Sequence, residues 1–159
     1  MRRLPDLAYR IIGRFSVLGP VRWLHPRLYR RTGGVGILGQ VLGTGQILLV
    51  TRGARSGLAR SVALFAVDDP VSGGRIVVGS RGGSGRVPDW ARNLEADPRA
   101  EIQVHGRRER VRATFLDGDA YERAFDLAAA SYPGFHVYRA AATHRIPVIH
   151  LESLEPDAA

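Results

Sequence analysis

Beyond Gln46 the chain alternates short runs rich in Val, Ile and Phe with clusters of Gly, Pro, Asp and Ser, the pattern of strands separated by turns. The runs predict strands near Ile47 to Thr51, Ser61 to Val67, Arg75 to Ser80, Ala100 to His105, Glu109 to Leu116 and Val148 to Leu151. In the fifth, Val111, Ala113 and Phe115 alternate with Arg110, Arg112 and Thr114, so one face is buried and the other wet. His105-Gly106-Arg107-Arg108 reads as the hairpin connection that precedes it. Helices are predicted from about Pro88 to Ala96 and from Asp119 to Ser131, the second with Asp117 or Asp119 placed to cap its start. Successive short strands, with helices gathered at few places, give an α+β class built on a closed or partly closed antiparallel barrel.

The N-terminal segment follows a different period. Leu4, Leu7, Ala8, Ile11, Ile12, Phe15 and Leu18 recur at i, i+3, i+4, and Arg10 and Arg14 fall away from that stripe, as in an amphipathic helix. Residues 1–31 hold eight of the 23 arginines against one acid, Asp6, an excess of seven within a net charge of +8. Such a segment suits an anionic partner. Its apolar stripe fits lipid or protein and no nucleic-acid motif accompanies it, so nucleic acid is not expected. No run approaches the ~18 apolar residues a spanning helix needs, and no cleavage site follows the basic start. The expected location is the cytoplasm, with the helix docked on its own barrel, on a second copy in a homodimer, or peripherally on the inner face of the cell membrane.

Composition narrows the chemistry. The 159 residues fit one domain with a sizeable core, divided into a basic segment and glycine-rich link (1–39), a barrel (40–154) and an acidic tail (155–159). There is no cysteine, which removes disulfides, thiolate nucleophiles and sulfur-ligated metals. All basic residues are arginine, a coding bias more than a functional choice. The five histidines have no metal-ligand spacing and no nucleophile elbow surrounds Ser80 or Ser84, so no metal is expected. Gly34-Val35-Gly36-Ile37-Leu38-Gly39 matches the dinucleotide pattern GxGxxG. The context refuses it: no strand precedes it, no helix follows, and no acid occurs before Asp68.

Three segments carry candidate chemistry. Thr51-Arg52-Gly53-Ala54-Arg55-Ser56-Gly57 follows a strand and Arg60 opens the next; such a loop presents amides and guanidinium groups to a phosphate, or is an ordinary solvated hairpin tip. Ser80-Arg81-Gly82-Gly83 ends a hydrophobic strand, where small residues let a planar ligand approach the backbone. Trp90 then packs on such a ring or fills the core, and Asn93 caps or braces the loop.

Taken in order, Thr51 through Arg60, Ser80-Arg81-Gly82-Gly83, Pro88-x-Trp90-x-x-Asn93-Leu94-x-x-x-Pro98, and Tyr132-Pro133 through Arg145-x-Pro147 resemble the deazaflavin-dependent nitroreductase family across about 100 residues. Tyr29-Arg30-Arg31 and the glycine-rich segment after it are similar to that family's approach to its barrel. The resemblance implies a split β-barrel related to flavin-mononucleotide-binding reductases, with reduced coenzyme F-420 as hydride donor. Flavin mononucleotide and heme are the lesser alternatives, in a barrel that carries its ligand without turnover. It implies that Arg55, Ser56 and Arg60 hold the coenzyme phosphate, and that Ala63, Ser80, Arg81, Gly82, Gly83, Trp90 and Asn93 surround the deazaflavin and its chain. Ser80, Tyr132 and Tyr138 would be catalytic and Phe135 would wall the pocket of an apolar acceptor, such as a quinone. Two positions depart from the family. Val62-Ala63-Leu64 replaces a hydroxyl residue, proline and leucine, and Phe135 replaces the middle of three tyrosines in nitroimidazole-reducing members.

Overall fold

A computed structural model describes residues 8–9 and 45–154. Six strands, β1 (Gln46–Arg52), β2 (Ala59–Asp68), β3 (Arg75–Val78), β4 (Arg99–Val104), β5 (Arg107–Phe115) and β6 (Val148–Ser153), close into a barrel in the order β1-β2-β3-β6-β5-β4. All six pairings are antiparallel. With the helices this is the α+β split barrel that the sequence implied. The helices are α1 (Asp89–Ala96), α2 (Gly118–Ser131) and α3 (Gly134–Ala141). The N-terminal stripe, the Gly34–Gly39 link and the acidic tail lie outside the described residues, save that Ala8 and Tyr9 are helical.

Several boundaries correct the sequence reading. The third helix, α3, was not expected, because Pro133-Gly134 reads as a turn and only eight residues follow it. β2 begins two residues earlier than expected and takes in Arg60. β3 stops at Val78, since the Gly79 amide donates to the Pro147 carbonyl at 2.8 Å and Ser80 leads into a 3₁₀ turn, Arg81–Gly83. The β4–β5 turn is only His105-Gly106, both with positive φ (46° and 83°), as a two-residue hairpin of the I′ kind requires; Arg107 and Arg108 already belong to β5. Asp117 stands at the start of α2 but its side chain makes no capping hydrogen bond.

Two cores follow from the period of two along the strands. Ile47, Leu49, Ile102, Val111, Ile149 and Leu151 fill the barrel. Trp90, Ala91 and Leu94 of α1 join them, at the one-face spacing of a helix that plugs a barrel end. The alternate strand residues Phe65, Val67, Ile76 and Val78 point outward and meet Tyr121, Ala124, Phe125 and Ala128 of α2 with Tyr132, Phe135 and Tyr138 of the α3 region. The outer core therefore fixes the aromatic cluster against β2 and β3.

One ion pair ties the β2–β3 turn to α2. Arg123 donates to both carboxylate oxygens of buried Asp69, at 3.0 and 3.1 Å, and Val71 donates its amide to the same carboxylate at 3.0 Å. Arg123 above all, against the cost of burial, holds the Asp69 carboxyl well below the usual carboxylate range. Arg123→Ala is expected to lower stability by about 2 kcal/mol, since a buried carboxylate loses its charged partner. Because the folded-state value is depressed, the contribution is present above the ordinary 3.8 and is lost as pH falls below it. Urea melts of both proteins at neutral pH and at successively more acid pH should show the gap closing.

Candidate functional site

β1 and β3 are both antiparallel to β2, so the loops that follow them leave the barrel at one end. The first loop, residues 53–58, is held from below by α1. The Ala54 amide donates to Asn93 Oδ1 at 3.0 Å, and Asn93 Nδ2 donates to Thr51 Oγ1 at 3.0 Å. Asn93 thus braces the loop, as the plainer of its sequence readings had it. Within the loop, Gly53 donates to the Leu58 carbonyl, Gly57 to the Gly53 carbonyl and Leu58 to Ser56 Oγ, at 2.9, 2.7 and 3.4 Å. These bonds consume four of its amides and leave those of Arg55 and Ser56 without a partner among the described residues. Arg60 Nη2 donates to Ser56 Oγ at 3.4 Å. Neither Arg55 nor Arg60 faces a carboxylate among the described residues, and both are exposed. A loop with two unneutralised guanidinium groups and two open amides has the chemistry to hold a pair of anionic oxygens.

The second loop carries Ser80-Arg81-Gly82-Gly83. Arg81 has φ 45°, a conformation uncommon outside glycine and one that concentrates at ligand sites. Gly83 lies directly on α3: a Cβ there would sit 2.9 Å from the Tyr138 ring. Ser80 is largely buried, and its hydroxyl has no hydrogen-bond partner among the described residues and is not among the buried unpaired atoms. A free hydroxyl that reaches the surface at such a turn is available to a ligand.

The aromatic cluster closes the third side. Tyr132 and Tyr138 hydroxyls are 3.0 Å apart, and Tyr138 donates to the Tyr9 carbonyl at 2.9 Å, which makes Tyr132 the donor between the two. Tyr9 packs edge-on to Tyr132 at 5.4 Å, and Phe135 does so at 5.1 Å. Burial raises both phenols above the ordinary 10.0, and contact with Tyr132 raises Tyr138 further; both stay neutral donors through the physiological range. The remaining cavity, between Phe65, Val67, Ile76, Val78, Tyr132 and Phe135, is about 10 Å³, the space of one water.

The sequence reading missed two members of this cluster. Phe65 stacks on Tyr132 at 5.1 Å and 23°. Its signal was the period of two in β2, which puts Ser61, Ala63, Phe65 and Val67 on one outward face. That face runs from the cationic loop to the tyrosines, about 13 Å between Ser61 and Phe65, with Ala63 midway and half-buried. Tyr9 had no such signal, since only the fold brings it 129 positions to Tyr138. Of the remaining candidates, Trp90 packs in the barrel core. Arg81 and Gly82 are half-buried in the turn.

A closed antiparallel barrel with a cationic loop, a strained turn and an aromatic cluster beside them places the protein among the split barrels. The particular family follows from its sequence signature: that of the F-420H(2)-dependent quinone reductases matches residues 22–153, and the chain belongs to that family. An F-420H(2)-dependent quinone reductase of Mycobacterium tuberculosis is 36% identical over 91 residues, 57% of this chain and 59% of that protein. The match thus spans less than two-thirds of that relative's length. The solved structure of an F-420H(2)-dependent reductase, FDR-A, superposes with a TM-score of 0.62 at 31% identity, over 68% of this chain and 94% of that one. A domain-swapped dimer superposes with a TM-score of 0.64 at 28% identity, over 84% and 100%. HutZ, a heme storage protein of Vibrio cholerae, shares the fold at 14% identity and a TM-score of 0.53, over 75% and 89%.

Proposed function

We propose that the protein is an oxidoreductase that uses reduced coenzyme F-420 to reduce an apolar acceptor, a quinone, with nitro compounds as a side activity. The observation that carries the reading is the track along the outer face of β2, with open cations at one end and a free serine hydroxyl with two buried phenols at the other. The donor set fits the group named by the family. Arg55 and Arg60 would pair with its phosphodiester, Ser56 would orient Arg60, and Asn93 would keep the loop rigid. When bound, the coenzyme supplies a hydride.

The residues of the chain supply position and protons. Ser80 would donate to the edge of the ring system, and Gly83 keeps the turn close enough to Tyr138 for the two to share one ligand. Tyr132 and Tyr138 form a short donor relay able to hydrogen-bond the acceptor oxygen as charge develops on it. Phe135 gives the acceptor an apolar wall and no hydrogen bond, which favours a hydrocarbon-rich quinone over a nitro group. The Tyr138 hydroxyl now donates to the Tyr9 carbonyl, and an acceptor that takes this hydrogen bond would replace that carbonyl.

Attachment to an anionic membrane through residues 1–31 and pairing of two copies belong to the same proposal. Among the described residues no helix is long and apolar enough to cross a membrane. The similar fold of a domain-swapped dimer supports the pairing.

Tyr138→Phe tests the relay. Turnover with a water-soluble quinone should fall about 10- to 100-fold while F-420 affinity changes less than about twofold. Since burial raises both phenols, the wild-type rate should show no tyrosine limb below about pH 10. Equal losses in turnover and coenzyme affinity would remove the tyrosines from the acceptor side.

A further inference from the structure

The junction of α1 and β4 holds an open depression of about 620 Å³. It shares Gly53, Ala54 and Gly57 with the cationic loop, and contains none of Arg55, Ser56 or Arg60. Its charged groups are Arg52, Asp97, Arg99 and Arg112. The register explains why three arginines meet there. Arg99 and Arg112 are directly opposed in the β4–β5 ladder. The β1–β4 pairs Leu48↔Gln103, Leu49↔Ile102 and Val50↔Glu101 bring Arg52 alongside Arg99 two residues further on. Like charges opposed across a ladder destabilise a sheet, so the row is costly unless something neutralises it.

The neutralisation available inside the chain is partial. Asp97 accepts from Arg99 Nε and Nη2 at 3.0 and 3.3 Å, which engages one carboxylate with one arginine. Arg112 forms no ion pair among the described residues, although Glu152 of β6 is its neighbour in register. Arg52 lies over the loop, where a Cβ at Gly57 would be 3.8 Å from its Nε and Nη2, and it faces Asp97. One acid among three guanidinium groups leaves the depression with a net positive charge.

We propose that this depression is a second anion site, separate from the Arg55–Ser56–Arg60 loop, for a ligand with two or more closely spaced anionic oxygens. Arg112 and Arg52 are its open forks, and Arg99, fixed by Asp97, sets their spacing. The chemistry is shared by a compact diphosphate and by a short chain of carboxylates, because guanidinium forks take both. The proposal does not depend on the coenzyme reading, and its test contains no coenzyme.

The test is calorimetric titration at low ionic strength with two probes, inorganic pyrophosphate and a tetraglutamate peptide. At least one should bind saturably, with a one-to-one component that persists when the Arg55–Ser56–Arg60 loop is removed by Arg55→Gln with Arg60→Gln, and the probe that gives this component names the source. Arg112→Gln and Arg52→Gln should each weaken that binding about tenfold or more, whereas Arg55→Gln and Arg60→Gln should leave it within about twofold. A second readout separates a ligand site from a structural contact. Without ligand, Arg112→Gln should melt no lower than the wild type, since it removes a repulsion. The proposal fails if neither probe binds, if the loop variants lose binding equally, or if Arg112→Gln melts lower because the arginine was serving Glu152.

Discussion

Asn93→Ala is expected to lower stability by about 3 kcal/mol and to weaken F-420 binding together with it. Asn93 is 8% exposed and its amide is engaged at both ends, accepting from Ala54 and donating to Thr51. Truncation leaves the Thr51 hydroxyl and the Ala54 amide without partners inside the rim of the barrel, at about 1 to 1.5 kcal/mol each, with a further term for the space left behind. Asn93→Asp separates the two roles. An aspartate still accepts from Ala54, and the Thr51 hydroxyl can rotate to donate to it, so the loop stays held at the cost of a buried charge. Urea denaturation should rank wild type above Asp above Ala, and coenzyme titration should give the same order. An alanine variant within about 1 kcal/mol of wild type would mean that the loop is not held from α1.

The second large effect belongs to the loop itself. Arg55→Ala and Arg60→Ala should each weaken F-420 binding by about 1.5 to 3 kcal/mol, the worth of a charge-assisted hydrogen bond to phosphate, or about 10- to 100-fold. The two should not be interchangeable. Arg60 touches Ser56, so its loss also frees the serine, and Ser56→Ala combined with Arg60→Ala should cost less than the sum of the two single changes. Arg55 makes no side-chain hydrogen bond or ion pair among the described residues, so its effect should add to that of Ser56. Binding in both arginine variants should become less sensitive to salt, because an anion contact has been removed from each. Unchanged affinity in both would remove the phosphate assignment from this loop.

The strands were legible because half-buried strands write their two faces directly into the sequence. Val111 and Ala113 against Arg110 and Arg112 is the clear case, and β5 lies there, beginning two residues earlier than expected. α1 and α2 were legible for the corresponding reason, a stripe at helical spacing. α3 was hidden behind Pro133-Gly134: its burial comes from Phe135 and Tyr138 packing on α2 and β2, a tertiary fact with no local period long enough to read. The cationic loop was visible as a composition, two glycines between arginines, and locally that composition suits a plain solvated hairpin tip better than a phosphate loop. What the sequence did not show is the Asn93 brace, which reaches 39 positions to Ala54 and 42 to Thr51. Trp90 shows the opposite limit. Both of its readings were open from the sequence, and packing puts it in the barrel core. The row Arg52, Arg99, Arg112 was invisible for the same reason as Tyr9, since it exists only once the ladder is in register.

On the function proposed, reduced F-420 lies along the β2 track and its hydride passes to a quinone. The most direct measurement is anaerobic mixing of the full chain with reduced F-420 and a soluble quinone, following the coenzyme's visible absorbance, with flavin mononucleotide and heme tried in parallel for binding. The expected result is saturable oxidation of the coenzyme, one quinone reduced for each coenzyme oxidised, and a rate that falls in Arg60→Ala through coenzyme KM and in Tyr138→Phe through kcat. Tight binding of F-420, flavin mononucleotide or heme with no oxidation of reduced F-420 by any quinone would contradict it, and would make the barrel a carrier.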